Sequence, residues 1–279
     1  MKRIISSLLL GGGMLLAVTS CSNYTKVLNS TDYMMKYGVA KEYYNKGQYA
    51  RAAVVLQDVI QMLKGTEDGE ESLYMLGMSH FNAKNYEAAN SVFQKYYQTY
   101  PHGKYTEKAM FQSGLSLYNQ TPEPKLDQSA TYAAIAEFQN FMETFPESEM
   151  REEAQNMIFA LQDKLVEKEY LSAKLYYDLG NYFGNCSSGG NNYEACVITA
   201  QNALKDYPYT TRREEFAILI LRAKFHLAAN SIERKKAERY HDAIDEYYGF
   251  TNEYPESKYM SEAKSLYKQA APYVESEQK

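Results

Sequence analysis

The side chains that most often carry chemistry are few and scattered in this sequence. Its four histidines are His80, His102, His226 and His241. No two of them form a His-x-x-x-His pair and none has a cysteine at ligand spacing, so they predict no metal site. The sequence also lacks a Gly-x-Ser-x-Gly motif, a phosphate-binding loop and a dinucleotide-binding motif. Adjacent carboxylates such as Glu152 and Glu153 follow a proline turn, where they favour the positive end of a helix over acid–base catalysis. We therefore predict a protein that is not an enzyme and needs no cofactor, metal ion or small-molecule substrate.

Cys21 is the residue with the clearest predicted chemistry. It follows two basic residues near the start, an apolar run over residues 4–18 and the small pair Thr19-Ser20. Such a segment is typical of a secretory signal and is too short to span a membrane. A cysteine directly after small residues resembles a bacterial lipobox, so we predict that residues 1–20 are removed and that Cys21 carries fatty acyl chains such as palmitate. The alternative is an ordinary signal peptide with an incidental cysteine.

Two further cysteines lie close together later in the chain. Cys186 and Cys196 are ten residues apart and flank a polar insert, and export would place both in an oxidising compartment. A disulfide between them would close that loop and restrict the unfolded chain. Two free thiols are the alternative, and the sequence leaves both readings open.

A repeated pattern of helices must position these residues. Four helical segments with apolar residues three and four apart end in an aromatic-proline pair, at residues 100–101, 145–146, 207–208 and 254–255. A helix, a turn rich in glycine or asparagine and a second helix with alanine at the crossing is the tetratricopeptide pattern. We predict an all-α tetratricopeptide-repeat solenoid of five helix pairs, near 33–66, 70–101, 107–146, 166–208 and 215–255. A capping helix over 257–274 would cover the last pair. Inserts are predicted near 121–124, 187–190 and 234–236.

The composition agrees with a packed helical protein that is exported. The chain contains 28 tyrosines and no tryptophan among 279 residues, and tyrosine can fill the grooves between helices while its hydroxyl reaches water. The formal net charge of −5 means that the chain lacks the surplus of basic residues typical of nucleic-acid-binding proteins, so we predict no nucleic-acid partner. No segment after the signal is long and apolar enough to predict a membrane-spanning helix.

An aromatic-asparagine pair recurs in three successive repeats. Tyr44-Asn45, Phe81-Asn82 and Tyr118-Asn119 are spaced by 37 residues, at the same place in each first helix. In tetratricopeptide folds these positions resemble the concave wall, where rings offer pockets and amides pair with an extended peptide. The alternative is that each asparagine caps its helix while the ring packs. The predicted peptide-binding residues are Tyr37, Lys41, Tyr44, Asn45, Tyr74, Phe81, Asn82, Phe111, Tyr118 and Asn119.

The arrangement as a whole resembles the BamD family of outer membrane protein assembly lipoproteins. The most specific matches are the segments 168–177, 203–208 and 240–257, the last reading Tyr-x-x-Ala-Ile-x-x-Tyr-x-x-Phe-x-x-x-Tyr-Pro-x-Ser. The resemblance implies a lipid-anchored scaffold of the β-barrel assembly machinery, on the periplasmic face of the outer membrane. It implies two partners, unfolded outer membrane proteins and a BamA-like barrel-forming protein.

This resemblance divides the chain by role. It implies a signal peptide over 1–20, a polar tether over 21–30, substrate-binding repeats over 31–146, and partner-docking repeats with the capping helix over 147–279. The basic residues implied in partner docking are Lys205, Arg212, Arg213, Lys235, Lys236 and Arg239. A generic periplasmic tetratricopeptide adaptor for envelope or peptidoglycan processes is the alternative function.

Overall fold

The structure is a computed structural model that describes residues 24–182 and 191–275. No residue in these ranges is in a strand, which confirms the predicted all-α class. A short helical segment over residues 24–28 comes first. The helices that follow are α1 (Tyr33–Asn45), α2 (Tyr49–Val59), α3 (Glu67–Asn82), α4 (Tyr86–Thr99), α5 (Thr106–Tyr118), α6 (Ser129–Thr144), α7 (Arg151–Leu179), α8 (Asn192–Asp206), α9 (Arg213–Ala229), α10 (Glu233–Glu253) and α11 (Met260–Glu275). The predicted signal peptide, Cys21 and Cys186 lie outside the described residues.

Helices that follow one another in the chain pack against one another, as tetratricopeptide repeats require. Contacts join α1 to α2, α3 to α4, α5 to α6 and α9 to α10, and α11 packs on α10. These pairs and the last helix fall where the sequence predicts the repeats and the cap. The start of the fourth pair differs, because α7 begins at Arg151 and continues for 29 residues. No glycine or proline interrupts this stretch before Gly180, so nothing ends the helix earlier.

The predicted inserts have different outcomes. Residues 119–128 connect α5 and α6 without a helix, which confirms the first insert. The insert near 234–236 is wrong, because these residues lie in the first turns of α10 and only 230–232 connect α9 to it. Lysine, arginine and glutamate are strong helix formers, and Lys236 pairs with Glu233 at 3.0 Å within that turn. The added residues therefore lengthen a helix. The remaining insert lies mostly outside the described residues.

The first two helix pairs turn in the same way. Gly47 follows α1 with φ +71°, and the amide of the next residue, Gln48, donates to the Tyr43 carbonyl at 2.8 Å. Lys84 takes the equivalent position after α3 with φ 61°, and the Asn85 amide donates to the His80 carbonyl at 2.9 Å. This left-handed residue closes the helix end and sets the direction of the next helix.

The described chain forms two compact units, which we call unit 1 (residues 24–121 and 129–158) and unit 2 (residues 122–128, 159–182 and 191–275). In unit 1, glycines on first helices receive rings from second helices. Gly77 faces Phe93 and Gly114 faces Phe138, and both rings are fully buried. In unit 2, the buried Phe216 and Phe250 lie in separate apolar clusters. No helix of the described residues has the length and apolar character to cross a membrane.

Candidate functional site

The aromatic residues that recur at the ends of first helices close the turns to the second helices. Tyr44 meets Tyr49 edge to face with ring centroids 5.4 Å apart, and Phe81 meets Tyr86 in the same geometry at the same distance. Such pairs contribute about 0.5–1.5 kcal/mol beyond their burial. Tyr44 and Phe81 are half-buried, so part of each side chain stays accessible to solvent.

The asparagines beside these rings are exposed, but they make different contacts. The Asn82 amide donates to the Tyr44 hydroxyl at 3.5 Å, which joins the first two repeats. The Asn119 amide donates to the Leu115 carbonyl at 2.7 Å and so caps the last turn of α5. Burial is the main cause that raises the pKa of Tyr44, so its hydroxyl stays neutral at physiological pH. The recurring aromatic-asparagine pairs therefore combine helix capping with an accessible polar edge.

Tyr37 and Lys41 belong to a polar cluster between α1 and α3. The Tyr37 hydroxyl donates to Glu71 Oε2 at 2.6 Å, and Lys41 Nζ donates to the same oxygen at 2.8 Å. Lys41 Nζ also lies 4.2 Å from the Tyr37 ring centroid. The Lys41 hydrogen bond is the largest of the causes that lower the pKa of Glu71. Tyr37 is only 3% exposed, so its ring fixes the helix pair and offers no surface to a ligand.

Two other predicted residues also serve the core. Tyr74 stacks on Tyr105 with centroids 4.6 Å apart, and burial raises the pKa of Tyr74 to about 12. Phe111 is 3% exposed and packs against Phe138 and Phe141. Tyr74 is half-buried, as Tyr44 is, but its ring packs against Phe93, Tyr96 and Tyr105. We call the other accessible members of the predicted set the candidate binding edge: Lys41, Tyr44, Asn45, Phe81, Asn82, Tyr118 and Asn119.

Sequence reasoning missed the two adjacent carboxylates that organise unit 1. Glu71 receives the Tyr37 and Lys41 donors, while Glu70 Oε1 accepts from the Tyr96 hydroxyl and from the Lys104 backbone amide. Tyr96 is fully buried, and burial together with the Glu70 hydrogen bond raises its pKa. The available signal was an adjacent Glu-Glu pair in a helix whose first turn already carries Glu67 and Asp68, two acidic residues that suit the positive helix end.

In unit 2, two of the predicted docking arginines, Arg212 and Arg213, are bound to acidic residues of the same chain. Arg212 forms ion pairs with Glu167 and Glu215 and lies 4.9 Å from the Tyr170 ring centroid. These partners come from α7 and α9, so Arg212 fixes two helices of the unit. The guanidinium of Arg212 therefore forms its ion pairs within the unit and does not depend on a partner protein for them.

The other basic residues divide into engaged and exposed ones. Arg213 donates to the Pro208 carbonyl at 2.8 Å and to Glu253 at 3.1 Å, and Arg239 donates to the Ser231 hydroxyl. Lys205, at the end of α8, and Lys235, in α10, are exposed. These two lysines are thus the members of the predicted set most available to a partner.

Unit 2 also contains a cavity of about 360 Å³ that the sequence did not indicate. Phe159 is 54% exposed and Tyr209 is 97% exposed at this cavity, which leaves large rings in contact with solvent. The lining residues are Phe159, Gln162, Asp163, Val166, Asp206, Tyr207, Pro208, Tyr209 and Thr210.

The histidines do not converge with other ligands. His226 stacks on Tyr193 with centroids 5.5 Å apart, and burial lowers its pKa. Within residues 24–182 and 191–275, no three histidine, cysteine, aspartate or glutamate side chains are arranged to hold a metal ion.

Cys196 is fully buried in α8. Burial raises the pKa of its thiol to about 12. Its predicted partner, Cys186, lies outside the described residues, so the disulfide stays a prediction.

The burial of Cys196 predicts slow alkylation. In a reduced Cys186→Ser variant, we expect iodoacetamide to modify Cys196 at least about 100-fold more slowly in the folded protein than in urea, because thiolate is the reactive form. Mass spectrometry of timed samples measures both rates. Similar rates in the two conditions would contradict the buried placement.

Comparisons with known proteins give the family. Residues 29–215 match the family model YfiO, described as an outer membrane lipoprotein. Outer membrane protein assembly factor BamD of Caulobacter vibrioides is 21% identical over 168 residues, which are 59% of this chain and 55% of that protein. BamD of Pasteurella multocida is 23% identical over 170 residues, which are 57% of this chain and 65% of that protein.

The chain therefore spans less than two thirds of the length of either relative. Among solved structures, the TPR2AB-domain:pHSP90-complex of yeast Sti1 aligns with a TM-score of 0.40 and 13% identity, covering 86% of this chain and 98% of that one. The family match confirms the resemblance in the sequence and covers well over half of the chain. The protein belongs to the YfiO family of outer membrane lipoproteins.

Proposed function

We propose that this protein is a lipid-anchored scaffold in the assembly of outer membrane β-barrel proteins, and that it works by binding without catalysis. The observation that carries the proposal is the family match over residues 29–215. The assembly-factor names of the two BamD relatives agree with it. The signal-like segment over residues 1–20 and the cysteine that follows it support attachment through acyl chains on Cys21.

The proposed location is the periplasmic face of the outer membrane. Ser22 and Asn23 follow Cys21, so no acidic residue stands directly after the cysteine. This resembles lipoproteins that are sorted to the outer membrane. Acyl chains on Cys21 would hold the protein there without a spanning helix.

The candidate binding edge in unit 1 is the proposed site for unfolded barrel segments. Such segments are extended and rich in aromatic residues. The accessible sides of Tyr44 and Phe81 can pack against these rings, and the exposed amides of Asn45 and Asn82 can pair with the peptide backbone. Half-buried rings suit this role because their packing fixes them before the ligand binds.

Removing the two rings is expected to weaken this binding. For Tyr44→Ala combined with Phe81→Ala, we expect at least about a tenfold rise in the Kd for a peptide ending in aromatic residues, because two hydrophobic contacts are lost. A fluorescence titration with labelled peptide measures the Kd. Unchanged affinity in a folded double variant would contradict the assignment of the peptide-binding site to these rings.

Tyr177→Ala is the matched control for the peptide experiment. Tyr177 of α7 meets Tyr193 of α8 edge to face with ring centroids 5.8 Å apart, so it has the same kind of packing but lies in unit 2. We expect this variant to lose thermal stability, because it also removes a packed ring, and to keep the peptide affinity. Equal loss of affinity in both variants would point to a general effect of loosened turns.

Unit 2 is the proposed docking surface for a BamA-like barrel-forming protein. The ion-paired arginines are committed within the unit, so Lys205 and Lys235 are the basic side chains that we assign to the contact. Affinity purification of the tagged chain from its own outer membrane tests the function. Recovery of a large barrel protein with periplasmic domains supports the proposal, and its absence favours an adaptor with another role.

A further inference from the structure

The chain just after the predicted lipid attachment is packed onto the first repeat. Residues 24–28 are helical, and Val27 and Leu28 contact the apolar core of unit 1. The Tyr24 ring meets the Tyr43 ring edge to face with centroids 5.9 Å apart. The Arg51 guanidinium lies over the same ring, 5.4 Å from the Tyr24 centroid. The described part of the predicted polar tether is therefore held by contacts with α1 and α2.

A buried lysine fastens the same segment. Lys36 is 5% exposed, and its Nζ donates to the Leu28 carbonyl at 2.8 Å and to Asp58 Oδ2 at 3.1 Å. An ammonium group out of water needs acceptors for its hydrogens, because burying it unpaired is costly. The Leu28 carbonyl is one of these acceptors. Lys36 therefore favours the docked arrangement of residues 24–28.

Only Ser22 and Asn23 separate Cys21 from this docked segment. Three residue steps of fully extended chain cover at most about 11 Å. We propose that the surface formed by Tyr24, Tyr43 and Arg51 rests on the lipid headgroups, so that the anchor fixes the first repeat directly at the bilayer. This inference rests on the proposed acylation of Cys21.

The chemistry of this surface fits the bilayer interface. Tyrosine is enriched where a membrane meets water, because its ring is apolar and its hydroxyl is polar. Arg51, whose guanidinium also donates to Gln48 Oε1 at 3.2 Å, and the exposed Lys26 carry positive charge that suits the phosphates of lipid headgroups. Removal of residues 1–20, which include Lys2 and Arg3, takes the formal net charge from −5 to −7, so the attraction is local to this face.

The absence of tryptophan from the sequence makes a direct test practical. A Tyr43→Trp variant keeps an aromatic ring beside Tyr24 and introduces one fluorescent donor. The full acylated chain is bound to vesicles of phosphatidylethanolamine and phosphatidylglycerol containing a dansyl-labelled headgroup. Energy transfer from the tryptophan to dansyl reports how close the reporter lies to the headgroups.

Two matched variants complete the design. Tyr132→Trp places the donor at an exposed position in α6, in the third repeat of the same unit. A second Tyr43→Trp chain carries ten glycine and serine residues inserted after Asn23. That insertion adds a flexible span of about 17 Å between the anchor and the repeat.

We expect energy transfer from the Tyr43→Trp reporter to exceed that from the Tyr132→Trp reporter by at least about threefold, and the insertion to lower it by a similar factor, given the added span. Equal transfer from the two reporters, or no effect of the insertion, in protein that floats with the vesicles overturns this inference alone. If the chain is produced in cells that acylate lipoproteins and still fails to float with the vesicles, the proposed anchoring is overturned, and the inference with it.

Discussion

Replacing Gly77 by leucine is expected to lower the free energy of unfolding of unit 1 by about 3 kcal/mol or more. A Cβ atom at this position would lie 2.5 Å from Phe93 Cε1 and 2.7 Å from Phe93 Cδ1. Phe93 is fully buried, so its ring has no solvent-filled space into which it can move. Leucine would add further carbons in the same direction and force the two helices of the repeat apart.

Gly38 provides the control for this substitution. It lies in α1, and a Cβ atom there would meet nothing within 4 Å. Gly38→Ala is therefore expected to raise the free energy of unfolding by up to about 1 kcal/mol, because alanine favours the helix over glycine. Urea denaturation followed by far-UV circular dichroism measures both variants. A neutral Gly77→Leu would show that the two helices are not held at this close contact.

A double variant separates close packing from helix propensity. Phe93→Leu shortens the side chain that a new group at position 77 would strike. Gly77→Ala and Phe93→Leu together should therefore cost less than the sum of their separate effects, by about 1 kcal/mol or more. Additive effects would mean that the glycine is present for another reason.

The repeat architecture could be predicted because its signals are local. Apolar spacing sets the helices, and proline after Tyr100, Phe145, Tyr207 and Tyr254 ends them. The small-and-large alternation that appears in Ala89 and Phe93 also reflects a packing rule that each repeat reuses. The prediction of an insert near 234–236 was wrong for a local reason as well. Extra residues can lengthen either a loop or a helix, and strong helix formers favour the helix.

The candidate site could be predicted only in part, since its polar contacts join distant residues. The sequence places Tyr37 on the face predicted to bind peptide. Only the fold shows that Tyr37 is buried and that its hydroxyl donates to Glu71 of the next repeat. The sequence predicts Arg212 to be a cation available to a partner, but the fold pairs it with Glu167, which is distant in the sequence. Spacing within one helix identifies the face of a residue, but burial and charge pairing depend on the neighbouring helix.

The largest functional effect is expected from Cys21→Ser. If Cys21 carries the anchor, this variant should incorporate no labelled palmitate and should lose essentially all membrane association. At least two buried acyl chains are needed for stable attachment, and each buried methylene contributes about 0.8 kcal/mol. No helix within residues 24–182 and 191–275 offers another means of crossing the bilayer. The folded repeats should be unaffected, so the thermal transition should stay within about 2 °C of the parent, since no buried contact of the described core changes.

The export signal must be controlled for this result to be informative. The variant is expressed behind an ordinary cleavable signal, so that it reaches the same compartment without remaining attached by an uncut leader. Cys186→Ser with the native leader is the matched control, and it should keep both the label and the membrane fraction. A Cys21→Ser chain that still sediments with washed membranes would show that protein contacts hold the scaffold in place. The docked segment after Cys21 would then have to be explained by the stability of the first repeat alone, because Lys36 would still need the Leu28 carbonyl.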